Sequence, residues 1–218
     1  MPTRPAAEMR VRMTGREQRL PWVSHMTDSP TATPSRPPKR ERLVESARDL
    51  LYEQGVQRTT LAQIAERADV PPGNVYYYYK TRDELVQAVI ESRIARIRQV
   101  LGDLDRRTTP KARLKALAAT WVDAAPEVKE HGCPVGSLAC ELSKDDNELS
   151  AQGARMIREI LEWMERQFRE LGRRDAPALA VTMLAAIQGA ALLANTLRDE
   201  ELFHREIRRI RRWVDDIA

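Results

Sequence analysis

An all-α fold is the class this sequence predicts, and three observations predict it. Ala, Leu, Glu and Arg dominate a chain of 218 residues. No stretch alternates apolar and polar residues as a half-buried strand would. Beyond residue 38, apolar residues instead recur three and four apart, the period of an amphipathic helix. The length suits one sizeable helical core, or a small helical domain joined to a larger one.

Residues 1–38 are rich in proline, Arg, Ser and Thr without sustained periodicity, so they are expected to be a disordered extension, with Met26 as an alternative start. From Lys39 to Gln54, Leu43, Val44, Ala47, Leu50 and Leu51 form one stripe, and Gly55 stands where a helix ends. Thr60 is placed to cap a second helix whose Leu61, Ile64, Ala65 and Ala68 face inward. Asp69-Val70-Pro71 makes a turn. Pro72 suits the first position of a third helix and forces Pro71 into the extended conformation of a cap. Tyr76, Tyr77, Tyr78 and Tyr79 follow. At about 100° per residue they cannot all face a core, so some are expected at the surface.

Thr81 caps a long helix striped by Leu85, Val86, Val89, Ile90, Ile94, Ile97, Leu101 and Leu104, ending near Pro110. The spacing predicts one further helix through Leu114, Leu117, Trp121, Val122 and Ala125. A glycine-marked break and short apolar helix lie in HGCPVGSLACEL, and a longer helix carries Met156, Ile160, Met164 and Phe168. Ala176 to Leu197 holds 22 residues without a charge. That length could span a bilayer, but its Ala-rich content and interrupting Gln188, Gly189 and Asn195 favour a helix packed in protein, and no membrane partner is expected. The last helix carries Phe203, Ile207, Ile210, Val214 and Ile217 at heptad spacing. These two helices, 176–197 and 200–217, are the expected homodimer interface.

Net charge is +4, but the excess sits in residues 1–36, with six Arg against three acids, whereas residues 37–84 balance eight cations with eight acids. Any affinity for nucleic acid must therefore come from a few placed groups. Cys133 and Cys140, without a secretory leader, suit a reducing cytoplasm. On one helix they would lie two turns apart, about 10 Å, beyond disulfide reach. His25, His131 and His204 form no catalytic spacing, and no phosphate-cradling loop, metal-ligand cluster or cofactor motif appears. No enzymatic activity, metal or cofactor is expected.

The run Thr-Thr-Leu-x-x-Ile-Ala from Thr59, followed by Gly73-x-Val-Tyr-Tyr-Tyr-Tyr-Lys-Thr-Arg-Asp-Glu-Leu, resembles the N-terminal helix-turn-helix of the TetR family of bacterial repressors. Asp69 departs from the family's usual Gly and Pro71 from a capping Ser or Thr. The resemblance implies a three-helix DNA-binding domain over 39–84 and a helical ligand-binding and dimerisation domain over 85–218, about nine helices in all. It implies a dimeric repressor that binds a palindromic double-stranded operator and is released by a small-molecule effector.

On that reading Pro72, Gly73, Asn74 and Tyr77 approach base edges in the major groove. Tyr76 and Tyr78 offer hydroxyls to phosphates, with Tyr79 in the core. Thr60 and Arg82, and more weakly Lys80, are further phosphate contacts at helix starts. Farther on, Gly132-Cys133-Pro134-x-Gly136-x-Leu138-x-x-Glu141 is similar to a signature of the LmrA/YxaF-like subgroup, whose members respond to drugs or plant-type aromatics. That implies a small apolar or aromatic ligand, with Trp121, Cys133, Met156, Trp163, Met164, Phe168 and Met183 as candidate lining.

Cys133 keeps two readings. It is either a small buried residue or, before a helix start that lowers thiol pKa and near His131, an electrophile sensor.

Overall fold

The computed structural model describes residues 36–217, and the expected disordered extension lies outside this range except for its last three residues. Among the described residues every regular element is helical: α1 (Lys39–Gln54), α2 (Leu61–Arg67), α3 (Pro72–Tyr78), α4 (Arg82–Asp105), α5 (Pro110–Ala119), α6 (Ala125–His131), α7 (Gly136–Leu142), α8 (Glu148–Glu170), α9 (Ala176–Leu197) and α10 (Glu200–Ile217). The segment expected as one helix through Leu114 and Ala125 is two. After Ala119 the chain enters a turn in which the Thr120 hydroxyl donates to the Leu117 carbonyl at 2.7 Å. Pro126 then sits in the first turn of α6, where a missing N–H costs nothing. The apolar spacing runs on across this break because both halves bury residues, Leu114, Leu117 and Ala118 in α5 and Ala125 and Val128 in α6, and both pack on α10.

The head is α1 to α3, packed as α1 on α2 and α2 on α3. The body is α5 to α10, in which α8 packs on α4, α5, α7 and α9, and α10 on α5, α6 and α9. Helix α4 belongs to both, since its Leu85 and Val86 lie in one continuous core with Leu43 of α1 while Ile97, Leu101 and Leu104 lie in that core with α8. A rigid element of 24 residues, about 36 Å long, therefore joins head to body.

The seam of α10 corrects one expectation. Phe203, Ile207, Ile210 and Val214 are all buried within their own chain, so the heptad spacing there serves intramolecular packing. Helix α9 is different: Ala180, Met183, Ile187, Ala190 and Ala194 are buried, whereas Val181, Leu192, Leu193 and Leu197 are exposed. It is long and apolar enough to cross a membrane, with part of its surface packed against α6, α8 and α10.

Candidate DNA-reading head and the junction beneath it

Helix α3 is fixed sterically at its start, with Pro71 extended (φ −53°, ψ 135°) and Pro72 at the first position. The preceding turn works with Asp in place of Gly because Asp69 takes the left-handed conformation (φ 48°). Arg42 helps to hold it by donating from Nη2 to the Asp69 carbonyl at 3.0 Å, and Arg36 bonds the Asp69 carboxylate. Seen from its axis, α3 has two sides. Val75 is buried and Tyr79, just past its end, is 4% exposed beneath the Arg40 guanidinium. Tyr76 and Tyr77 are 57% and 77% exposed. Pro72 and Gly73 are also exposed, Asn74 is half-buried, and Tyr78 is half-buried with its ring edge-on to Tyr77 at 5.0 Å. Pro72, Gly73, Tyr76 and Tyr77 thus share the exposed side of α3.

Of the three flanking candidates, Thr60 and Arg82 already engage their side chains. The Thr60 hydroxyl accepts from the Gln63 backbone N–H at 3.3 Å while the Gln63 side chain accepts from the Thr60 N–H at 2.9 Å, a complete capping box. Arg82 is half-buried and its Nη1 donates to the Val56 carbonyl at 3.3 Å. Lys80 is exposed, and its backbone N–H donates to Glu84. Thr60 and Arg82 therefore also brace the head.

Beneath the head lies a junction that sequence reasoning passed over. The Glu141 carboxylate on α7 accepts from the backbone N–H groups of Val56 and Gln57, both at 2.9 Å. These two donors lie in the loop between α1 and α2. Gly55 makes the approach possible, since its φ is 84° and a Cβ there would stand 3.0 Å from a Glu141 oxygen. On the same side, the Tyr52 hydroxyl of α1 sits 2.8 Å from the Gly132 carbonyl and 3.1 Å from that of Glu127, and its ring meets His131 edge-on at 5.2 Å. Burial pushes the Tyr52 phenol well above its usual range. The junction encloses a cavity of about 170 Å³ lined by Leu51, Tyr52, Gly55, Arg93, His131, Pro134, Ser137, Leu138 and Glu141.

Arg93 of α4 is 5% exposed, and its buried Nε has no hydrogen-bond partner. Burial, then the like charge of Arg48, lowers its pKa to about 10. Asp49, which reaches it electrostatically, is already bonded by Arg48 at 3.0 Å.

The expected ligand-lining residues fall elsewhere. Trp121, Cys133, Met156, Trp163, Met164, Phe168 and Met183 are all buried in the core, and none borders this cavity. Trp163 donates from Nε1 to Asp105 at 2.9 Å, and Phe168 meets Trp213 edge-on. The sensor reading of Cys133 meets a physical obstacle. Its sulfur does accept from the Gly136 N–H at 3.2 Å, but burial outweighs that bond and raises the thiol pKa.

Comparison with known proteins agrees with this architecture. Residues 43–89 match the model of bacterial regulatory proteins of the tetR family, and residues 110–208 match that of the LmrA/YxaF-like transcriptional regulator C-terminal domain, together more than half of the chain. The regulator TtgR of Pseudomonas putida is 29% identical over 69% of this chain and 77% of its own. An HTH-type regulator from the lacX 3' region of Lactococcus lactis is 29% identical over 73% of this chain and 85% of its own. In fold, the chain resembles a TetR regulator of Legionella pneumophila, with a TM-score of 0.73 at 19% identity, covering 83% of this chain and 97% of that one. A helix-turn-helix head on a helical body, matched by family models at both ends, identifies the chain as a member of the TetR family of DNA-binding transcriptional regulators.

Proposed function

We propose that this regulator is a cytoplasmic homodimeric repressor that binds a palindromic operator and leaves it when a small effector binds. The observation that carries the DNA-reading assignment is the outward face of α3, where Tyr76 and Tyr77 stand exposed beside Pro72 and Gly73 while Val75 and Tyr79 anchor the other side. Gly73 lets backbone approach the duplex, with nothing within 4 Å of where its Cβ would be. Asn74 and Tyr77 read base edges; Tyr76, Tyr78, Lys80, Thr60 and Arg82 meet phosphates.

Dimerisation places the exposed Val181, Leu192, Leu193 and Leu197 of α9 against the same face of a second copy, with α10 beside it. Two α3 helices then lie about 34 Å apart, one helical turn of DNA. Footprinting on genomic fragments tests the reading. The wild-type protein protects a two-fold symmetric site, and a Leu193→Glu variant that is monomeric loses it. Absence of any protected site, or full protection by the monomeric variant, contradicts the proposal.

A further inference from the structure

The junction cavity contains a charge whose burial the fold does not explain. A guanidinium taken out of water is costly unless paired, and the two acids that reach Arg93 or line its cavity, Asp49 and Glu141, are held by other groups. Asp49 is held by Arg48, and both oxygens of Glu141 accept backbone N–H groups of the head. Arg93 nevertheless lines the cavity, and its buried Nε has no hydrogen-bond partner. Around it stand Tyr52, His131 and Ser137, which can hydrogen-bond, and Leu51, Pro134 and Leu138, which are apolar. The volume, about 170 Å³, lies below the ~300–1,000 Å³ of pockets for drug-sized ligands, so the occupant is small.

We propose that this cavity is the effector site and takes a small organic anion, a single-ring carboxylate in class, whose charge pairs with Arg93 and whose ring lies against the apolar wall. The proposal rests on reading the chain as an effector-controlled regulator and gives that effector a chemistry and a place. It also gives a route to the DNA. Glu141 borders the same cavity, so an arriving carboxylate repels the carboxylate that clamps Val56 and Gln57. Release of the clamp frees the α1–α2 loop, and the paired heads lose the spacing the operator requires.

Calorimetry on the full-length protein with benzoate, phenylacetate and salicylate, each beside its neutral amide at matched ionic strength, tests the site. At least one acid binds saturably while its amide does not, and Arg93→Met weakens that binding by at least about thirty-fold, the loss expected of a desolvated charge partner. Without ligand, Arg93→Met melts at a higher temperature than wild type, because an unpaired buried charge is gone. The proposal is overturned if none of the acids binds below about 10 mM, if the amides bind equally, if Arg93→Met binds as wild type, or if that variant melts lower. Operator anisotropy on the same samples separates the two readings. Intact operator binding with no acid response rejects this site alone, whereas failure of wild type to bind any operator rejects the regulator assignment.

Discussion

The outer face of α3 and the junction cavity are both polar, and they are built in opposite ways. On α3, Tyr76 and Tyr77 are solvated before any partner arrives, so DNA is met by hydroxyls already in water. At the junction Arg93 is buried before any partner arrives, and the unpaired charge is held in place by the packing around α4. An exposed surface suits a large, rigid polyanion approached from outside. A buried cation suits a small ligand that must be told from water and from neutral molecules. The Glu141 clamp lies between the two, fixing the loop ahead of the helix-turn-helix to the wall of the cavity.

Substitutions separate these designs, beginning with the largest effect. Tyr79→Ala removes a buried ring that packs in the head's core and costs about 3–5 kcal/mol of stability, as large aromatic-to-Ala changes do; chemical denaturation reads it. Glu141→Ala leaves two backbone N–H groups without their acceptor and costs about 1–3 kcal/mol. The same variant loosens the head, so its operator affinity falls while Tyr77 remains in place.

Tyr77→Ala inverts that pattern. Its 77% exposure predicts a stability change within about 0.5 kcal/mol, while anisotropy shows operator binding weaker by roughly 1–3 kcal/mol at the contacted position. A Tyr77→Ala protein that is badly destabilised would erase the distinction between the two regions. Smallest is the response to thiol reagents. Cys140 is exposed and is alkylated first, whereas Cys133, buried with a raised pKa, reacts slowly in the folded protein. Mass spectrometry resolves the order, and rapid labelling of Cys133 would restore the sensor reading.

The sequence made α3 legible because all its determinants are local. Pro71 and Pro72 set the start, and helical periodicity alone requires that four consecutive tyrosines divide between core and solvent. The turn at Asp69 was legible for the same reason. The junction was not, because Tyr52, Arg93 and Glu141 come together from α1, α4 and α7, far apart in the chain. Arg93 sits on a helix with many solvated charges, and no periodicity marks one of them as buried. A signal did exist in the Gly132 to Glu141 signature, whose terminal Glu reaches the head, and in Gly55, whose conformation and missing Cβ admit it. Large apolar side chains drew attention to Met156, Trp163 and Phe168, yet such residues fill a core as readily as they line a cavity. Heptad spacing in α10 was ambiguous in the same way, since it suits an internal seam as well as a subunit one.

The coupling between cavity and head is tested most directly by hydrogen exchange at the Val56 and Gln57 amides, followed in the full-length protein with and without a saturating ring carboxylate. Both amides are protected in the free protein by the Glu141 carboxylate, and they lose that protection when the ligand binds while Ile64 and Ala65 in α2 keep theirs. Protection at Val56 and Gln57 that is unchanged at saturation would show that the cavity does not control the head through this clamp.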